Sequence, residues 1–418
     1  MNKKTIILVI SLLTLAFILA GCNDTTPGSI IVANDSEATP VNVGNTVNDN
    51  TQFAFDVYKK LAKENEGNVF LSPWSISSAL AMTAEGARGD TLREMRTVLH
   101  LADDDTIRRS SFAAIYNQIN KKDKEYQLNT ANALWAQQGY TFLPEYFDVV
   151  EQYYGGKVTN VDFQTKTEEA RMMINDWVEE KTNDKIKDII PQGMLSPMTR
   201  LVLSNAIYFK GTWVLEFDKK NTYDASFRVS SDKTVTVDMM VRDDKDARFN
   251  YYENEDLQVL EMLYKGEELS MLVLLPKDED LAKLEESLTA EKLEEYRNGL
   301  YERKIDVYMP KFKFDTKYFM VKTLSEMGMP TAFDPIDADF SGMTGKKDLF
   351  ISAVIHQAFV EVNEEGTEAA AATVVVMETM AALPMNDFRA DHPFIFIIQE
   401  RGTGNILFMG RVVDPTAE

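Results

Sequence analysis

The sequence is short of the residues on which disulfide-stapled proteins and many enzymes depend. It has 418 residues but only one cysteine, Cys22, and only three histidines. One cysteine cannot form an internal disulfide, so packing must stabilise the fold. Acidic residues outnumber basic ones by 66 to 44, which gives a formal net charge of −22. This balance argues against nucleic-acid binding and against a basic, membrane-surface mode of binding.

The common catalytic motifs are also missing. The three histidines are His100, His356 and His392, and the chain has no Gly-x-Ser-x-Gly nucleophile elbow near which one could act. A His-Glu-x-x-His motif, a cysteine cluster and a phosphate-binding glycine loop are absent as well, since Gly402 and Gly404 make only a partial match. We therefore predict a protein that is not an enzyme and that uses no metal and no cofactor.

The N-terminus has the pattern of an export signal. A short basic start is followed by an uncharged, mostly apolar run from Thr5 to Ala20, which is short for a membrane-spanning helix. The run ends in Leu-Ala-Gly-Cys, which resembles a lipoprotein box. This pattern predicts a signal peptide over residues 1–21 and a lipidated N-terminus at Cys22, although a plain signal peptide with an incidental cysteine is the alternative. Lipidation would anchor the exported protein to the cell membrane, outside the cytoplasm.

Composition then divides the rest of the chain. Residues 22–50 are rich in Asn, Asp, Thr, Ser, Gly and Pro, which predicts a flexible tether. Residues 51–418 have the apolar content of a folded domain. Within it, a mostly apolar run over 199–213 predicts a central strand. Residues 350–362 predict a further strand, which leads into the segment that begins at Glu364. Amphipathic periodicity predicts one helix over 165–181, and a charged segment over 279–298 predicts another.

One stretch near the C-terminus stands out because its local preferences disagree. Glu-Glu-Gly-Thr-Glu-Ala-Ala-Ala-Ala, starting at Glu364, favours helix, whereas the Thr-Val-Val-Val that follows favours strand. Read with a period of two, one face carries no charge. Its members are Thr367, Ala369, Ala371, Thr373, Val375 and Met377. The residues alone allow an ordinary helix, an ordinary strand, or a strand narrow enough to slide between two others.

These residues resemble the hinge of an inhibitory serpin, a member of the serine protease inhibitor family. The resemblance continues in Asn-Ala-Ile-Tyr-Phe-Lys-Gly-Thr-Trp, which ends at Trp213, and in the C-terminal Ile-Leu-Phe-Met-Gly-Arg-Val-Val-Asp-Pro, which ends at Pro415. It covers residues 51–418. It implies an α+β serpin fold with about nine helices around three β-sheets, a large central sheet, and an exposed reactive-centre loop at about 364–388.

The resemblance also implies roles for particular residues. It implies a hinge at Glu364, Gly366, Thr367, Ala369, Ala370, Ala371 and Ala372. It implies a region called the breach at the top of the central sheet, with Lys311 facing Glu364 beside Trp213. It implies a polar cluster called the shutter, made of Ser75, Asn205 and His356. The helix over 165–181 would cross the central sheet.

The activity implied by the resemblance is irreversible inhibition of serine endopeptidases. The protease cleaves the loop, and the cleaved segment inserts into the central sheet and traps the acyl-enzyme. Counting 16 residues from Glu364 places the cleaved bond between Met380 and Ala381, or one or two residues later. No Arg or Lys lies between Glu368 and Asn386, so chymotrypsin-, elastase- or subtilisin-like targets are expected. The protein would act as a monomer and bind no nucleic acid.

Two other functions remain open at this stage. A non-inhibitory serpin would act as a binding or chaperone-like surface protein, but such members usually carry Pro or bulky residues in the hinge, and residues 369–372 are all alanine. A transporter's substrate-binding lipoprotein would require alternating β-α units in two lobes, a pattern that is not found here.

Overall fold

A computed structural model describes residues 32–417, except for 122–123 and 368–386. The described residues form an α+β fold, as predicted, with ten α-helices and three sheets. The α-helices are α1 Pro40–Glu64, α2 Pro73–Ala84, α3 Gly89–Val98, α4 Asp105–Ile119, α5 Pro144–Tyr154, α6 Thr167–Lys181, α7 Leu281–Ser287, α8 Ala290–Gly299, α9 Met320–Met327 and α10 Ser341–Thr344. Short 3-10 helices occupy Lys219–Asn221 and Pro330–Phe333.

Seventeen strands lie in the same described part of the chain. They are β1 Val69–Leu71, β2 Tyr126–Gln137, β3 Lys157–Val161, β4 Leu201–Thr212, β5 Tyr223–Arg228, β6 Thr234–Arg242, β7 Arg248–Glu253, β8 Leu257–Leu263, β9 Leu269–Pro276, β10 Tyr301–Lys304, β11 Asp306–Pro310, β12 Phe312–Phe319, β13 Ile351–Asn363, β14 Gly366–Thr367, β15 Asp387–Arg389, β16 Phe394–Glu400 and β17 Ile406–Val412.

The strands form sheets of seven, six and four members. The seven-stranded sheet has the order β1-β17-β16-β9-β8-β7-β10, and the four-stranded sheet has the order β15-β11-β6-β5. The six-stranded sheet has the order β12-β13-β14-β4-β2-β3, and β13 also pairs directly with β4. We call this six-stranded sheet the central sheet. The predicted central strand at 199–213 is β4, and the strand predicted at 350–362 is β13, so both strands are confirmed. The structure adds that β13 is also a central strand of this sheet.

The central sheet is covered on both faces, which explains why β4 reads as a continuous apolar run. Helix α2 packs on one face and contacts β2 and β4, and it also contacts β17 of the seven-stranded sheet. Helix α6 packs on the other face, as the resemblance implied, and Ile174 and Val178 lie in one buried cluster with Trp135, Val202 and Ala206. Side chains of β4 therefore alternate between the two covering layers.

The predicted tether is wrong for the part that the structure describes. Helix α1 begins at Pro40, eleven residues before the predicted domain start, and the Thr39 side chain caps it by accepting a hydrogen bond from the Asn42 amide at 3.2 Å. Even before the helix, the Ala33 amide donates to Asn117 Oδ1 at 2.9 Å. Residues 32–50 are thus packed onto the domain. Residues 1–31, including the predicted signal peptide and Cys22, lie outside the described residues.

One further expectation needs correction. The single helix expected over 279–298 is two helices, because Thr289 caps α8 by accepting from the Lys292 amide at 3.2 Å. Among the described residues, no helix combines the length and the apolar character that crossing a bilayer requires.

Candidate functional site

The candidate site is the end of the central sheet at which β4 and β13 separate. The two strands pair in parallel from the rung Ile351–Leu201 to the rung Phe359–Tyr208. Beyond that rung, the two residues of β14 lie between them and run antiparallel to both neighbours. At this end of the sheet, β14 is therefore the start of an extra strand between β4 and β13.

Glycine is required at the first of these two positions. A Cβ atom on Gly366 would lie 2.0 Å from the carbonyl oxygen of Gly211 and 2.8 Å from Cα of Thr212, closer than any side chain can approach. The next residue, Thr367, is only 1% exposed, and its hydroxyl lies 2.7 Å from the hydroxyl of Tyr264. Burial raises the pKa of Tyr264, so this phenol stays protonated and can take part as a donor.

Trp213 connects this small strand to the surrounding layers. Its indole stacks on the Tyr264 ring with 4.4 Å between ring centroids, and its Nε1–H donates to the carbonyl of Asn363 at 3.1 Å. Its backbone amide donates to the carbonyl of Glu365 at 2.9 Å. Trp213 therefore contacts the end of β13, the turn after β13, and Tyr264, whose hydroxyl meets that of Thr367.

Glu364 is the charged residue at this end of the sheet, and it is only 4% exposed. Its carboxylate accepts a hydrogen bond from the Thr222 hydroxyl at 2.8 Å and lies 3.5 Å from the Lys311 ammonium. Lys311 also lies 3.4 Å from the carboxylate of Asp238. The structure therefore brings together Glu364, Lys311 and Trp213, which the resemblance grouped in the breach.

We expect Lys311→Met to destabilise the protein by about 1–2 kcal/mol, since Lys311 is partly exposed and its loss removes the ion-pair partner of the nearly buried Glu364 carboxylate. The matched control is Lys313→Met, because Lys313 makes a more exposed pair with Glu361 at 3.4 Å. Its loss should cost less than about 0.5 kcal/mol. Urea unfolding of the two variants measures both values, and equal midpoints would show that the Lys311 pair contributes nothing.

A second polar cluster lies lower in the central sheet, between β13, β4 and β2. His356 is paired in register with Asn205, and Asn205 with Asn132. The Asn205 side chain donates to Ser75 Oγ at 2.7 Å, and Ser75 Oγ donates to Asn132 Oδ1 at 2.8 Å. The structure thus joins Ser75, Asn205 and His356, and it adds Asn132 to them on the face covered by α2.

His356 is held as a neutral imidazole. The Ser72 amide donates to its Nε2 at 3.0 Å, so the ring proton sits on Nδ1, which donates to Asn205 Oδ1. Complete burial lowers the pKa of His356 from 6.5 to about 3. Protonation would create a buried charge on the ring and point an Nε2–H group at the N–H group of Ser72. A role for His356 as a proton carrier near neutral pH is therefore disfavoured.

This arrangement gives a pH prediction of definite sign. The pKa of His356 in the folded state is below its value in the unfolded state. The contribution of neutral His356 to the free energy of unfolding is therefore complete above pH 6.5. It is lost as the pH falls towards 3, at up to about 1.4 kcal/mol per pH unit. The stability gap between the parent and His356→Gln should therefore narrow between pH 6.5 and 4. His100→Gln provides a contrast of opposite sign, because Asp56 raises the pKa of His100. A constant His356→Gln gap in chemical denaturation would contradict the prediction.

The described residues do not include all the predicted site residues. Residues 369–372 of the predicted hinge, the predicted bond between Met380 and Ala381, and Cys22 lie outside them. Sequence reasoning missed Asn132 and Tyr264. Asn132 gave no clear signal, because β2 also contains Gln127, Asn129 and Thr130. Nothing in the sequence pairs Tyr264 with Thr367, which is 103 residues away.

Comparison with known proteins was made for sequence and for structure. Residues 48–415 match the family described as Serpin (serine protease inhibitor). The chain is 44% identical over 373 residues to an uncharacterized serpin-like protein of Thermococcus kodakarensis, covering 88% of this chain and 85% of the relative. It is 43% identical over 374 residues to the leukocyte elastase inhibitor of Homo sapiens, covering 88% and 98%.

Solved structures agree with this result. Uncleaved ovalbumin superposes with a TM-score of 0.79 at 35% sequence identity, covering 88% of this chain and all of that one. Human thyroxine-binding globulin complexed with thyroxine superposes with a TM-score of 0.80 at 31% identity, covering 90% of this chain and all of that one. With a family match over nearly the whole folded region and relatives that cover most of both chains, this chain belongs to the serpin family of protease inhibitors.

Proposed function

We propose that the protein is a suicide-substrate inhibitor of serine endopeptidases. The observation that carries the proposal is the two-residue strand β14 between β4 and β13, which makes the central sheet ready to accept the segment that follows. A protease that cleaves this segment forms an acyl-enzyme. The freed segment then continues β14 towards the far end of the sheet and carries the attached enzyme with it.

The geometry indicates how such insertion would proceed. The eight direct rungs between β4 and β13 must open, and each strand then pairs with the new one, so one ladder is lost and two are gained. About fourteen residues at about 3.3 Å each would move the enzyme on the order of 45 Å. Helix α6, which packs across β2 and β4, must yield as the strands separate. A dragged protease loses the alignment that deacylation requires, so the ester persists.

Target class follows from the sequence of the loop. The predicted bond between Met380 and Ala381 offers an apolar residue to the specificity pocket, and no Arg or Lys lies between Glu368 and Asn386. This pattern favours chymotrypsin-, elastase- or subtilisin-like enzymes over trypsin-like ones. The 43% identity to a leukocyte elastase inhibitor supports the same class.

The direct test is incubation of the protein with chymotrypsin, with elastase and with trypsin, followed by a denaturing gel. A detergent-resistant adduct with chymotrypsin or elastase, and a released C-terminal peptide that begins at or within two residues of Ala381, are the expected results. Cleavage that leaves no adduct with any of the enzymes would reject inhibition. That outcome would favour the second candidate, a non-inhibitory binding protein, for which the solved thyroxine complex of a 31% identical relative is a precedent.

We further propose that the protein is exported and anchored by lipid at Cys22, with the inhibitor domain outside the cytoplasm and acting as a monomer. Support comes from the lipoprotein box and from a serpin-like protein of Methanosarcina mazei whose 39% identical alignment spans 99% of this chain, including its N-terminal segment. Cys22→Ala should move the protein from the membrane fraction to the soluble fraction. An unchanged distribution would reject the lipid anchor.

A further inference from the structure

A cavity of about 460 Å³ lies where the seven-stranded sheet meets the end of the central sheet that holds β14. It is formed by the segment just after β4, by β7 and β8, and by single residues of β10 and of the turn after β16. Its volume is within the range of small-molecule sites. It is separate from the gap between β4 and β13, and the proposed inhibitory mechanism does not use it.

Six of the thirteen residues that line the cavity are apolar. Its apolar lining consists of Trp213, Val214, Leu215, Phe249, Met262 and Leu263. Phe249 and Met262 are buried in the sheet, whereas Val214 is 38% exposed and contributes open apolar surface. Such a lining would pack against the hydrocarbon part of a ligand and gain free energy by removing it from water.

The other seven lining residues are Asn250 and six charged residues, and the balance of charge among them is negative. The charged lining residues are Asp246, Arg248, Glu261, Glu267, Glu302 and Arg401. The two guanidinium groups are already paired, Arg248 with Glu302 at 2.8 Å and Arg401 with Glu261 at 3.1 Å.

The remaining two carboxylates are available to a ligand. Asp246 and Glu267 are both exposed, and no cation in the described part of the chain pairs with either of them. Their charges complement a cation and repel an anion. Together with the apolar lining, they select a molecule that has a positive group on a hydrocarbon body.

The wall of the cavity continues directly into the strands that hold β14. The Val214 amide donates to the carbonyl of Leu263 at 2.8 Å, so these two lining residues join β8 to the segment after β4. The residues next to them are Trp213 and Tyr264, which stack on each other. Tyr264 in turn meets the Thr367 hydroxyl at 2.7 Å. Tyr264 is therefore the single residue between the cavity wall at Leu263 and the contact with Thr367 of the hinge.

We propose that this cavity binds a small organic cation with an aromatic or aliphatic body, and that the bound cation holds Gly366 and Thr367 in the central sheet. A ligand packed on Val214 and Leu263 ties the segment after β4 to β8. This keeps Trp213 and Tyr264 stacked and favours the docked hinge over a released one, because the ligand's contacts are complete only in the docked form.

The first experiment measures binding by calorimetry with the full chain, using 3-phenylpropylammonium as the probe and 3-phenylpropionate as its anionic match. We expect the cation to bind with a dissociation constant on the order of 0.1–1 mM, as suits a ligand of about ten heavy atoms. The anion should not bind measurably. Equal affinity for the two probes, or no binding of the cation, would overturn the proposal.

Variants locate the site. Asp246→Asn with Glu267→Gln should weaken binding of the cation at least tenfold. The matched control, Asp243→Asn with Glu255→Gln, removes two exposed carboxylates that lie outside the cavity lining and should leave the affinity unchanged. If the control weakens binding as much as the cavity variant does, general acidity of the surface explains the binding and the site is rejected.

Hydrogen exchange tests the coupling to the hinge. A peptide covering residues 361–367 should exchange several-fold more slowly when the probe is saturating. Val214→Trp should fill the cavity, abolish binding and slow the same exchange without a probe. Binding that leaves this exchange unchanged would overturn the coupling. These measurements use no protease, so a failure of protease inhibition would leave them interpretable, and the converse also holds.

Discussion

Cleavage of the loop at or near Met380 should raise the thermal unfolding midpoint by about 15 °C. Insertion exchanges the eight rungs between β4 and β13 for two ladders, a net gain of roughly ten backbone hydrogen bonds at about 1 kcal/mol each. An unfolding entropy of about 2.1 cal/mol/K per residue converts each kcal/mol into slightly more than about 1 °C for a chain of this length. Burial of the uncharged face from Thr373 to Met377 adds to the increase.

Two proline variants make this result specific to insertion. Proline has no amide hydrogen to donate, so Ala371→Pro should stop the new strand and reduce the increase to less than half. Asn386→Pro places the same residue beyond the whole range of predicted bonds, outside the segment that inserts, and should keep the full increase. Calorimetry of cleaved and intact samples, with complete cleavage checked by mass, measures both. An unchanged midpoint after cleavage of the parent would contradict strand insertion in this protein.

Long-range pairing explains what could be predicted here and what could not. The strands β4 and β13 were predictable because both of their faces are covered, so their sequences are apolar with few interruptions. The interruptions, Asn205 and His356, were predicted as partners only through the family resemblance. Physical reasoning alone says that a buried polar group needs a partner, but it does not say which strand supplies it.

The start of the domain was missed because the composition of the first half of α1 does not indicate a helix. The first half of α1 is rich in Asn, Thr and Gly, which are weak helix formers, and its buried residues there are few. Packing of Val47 and Asn50 against the domain stabilises it in spite of this composition. The dipeptide Thr39-Pro40 was the available signal, since a capping threonine before a proline marks a helix start.

The hinge was predicted as a strand that could insert, and the position of its first residues in the structure was not predicted. The sequence pattern placed Thr367 on the uncharged face, and the structure places its side chain in a buried contact with Tyr264. Glycine at 366 lets its backbone approach that of Gly211 closely, and glycine at 211 leaves room for the Tyr264 ring, since a Cβ atom there would lie 2.6 Å from that ring. This mutual fit depends on three segments distant in sequence, which no local pattern reports.

Thr367→Arg should convert the protein from an inhibitor into a substrate. Thr367 is 1% exposed between β4 and β13, and a guanidinium placed there would lose its water. The hinge would instead stay outside the sheet, with the arginine in solvent. We expect at least a tenfold rise in the number of inhibitor molecules consumed per protease molecule inactivated, with cleavage continuing. The fold should survive, because only the two residues of β14 are displaced.

Two controls separate insertion from a general effect of the substitution. Thr367→Ser keeps a small side chain and the hydroxyl that meets Tyr264, and it should inhibit like the parent. Thr234→Arg adds the same charge at an exposed position at the start of β6 and should also inhibit normally. Titration of chymotrypsin or elastase activity against each variant gives the stoichiometry, and urea unfolding confirms that each is folded. Because Thr367 has the first buried side chain of the segment that must insert, a Thr367→Arg variant that still forms the stable adduct would mean that the adduct does not depend on insertion at this end of the sheet.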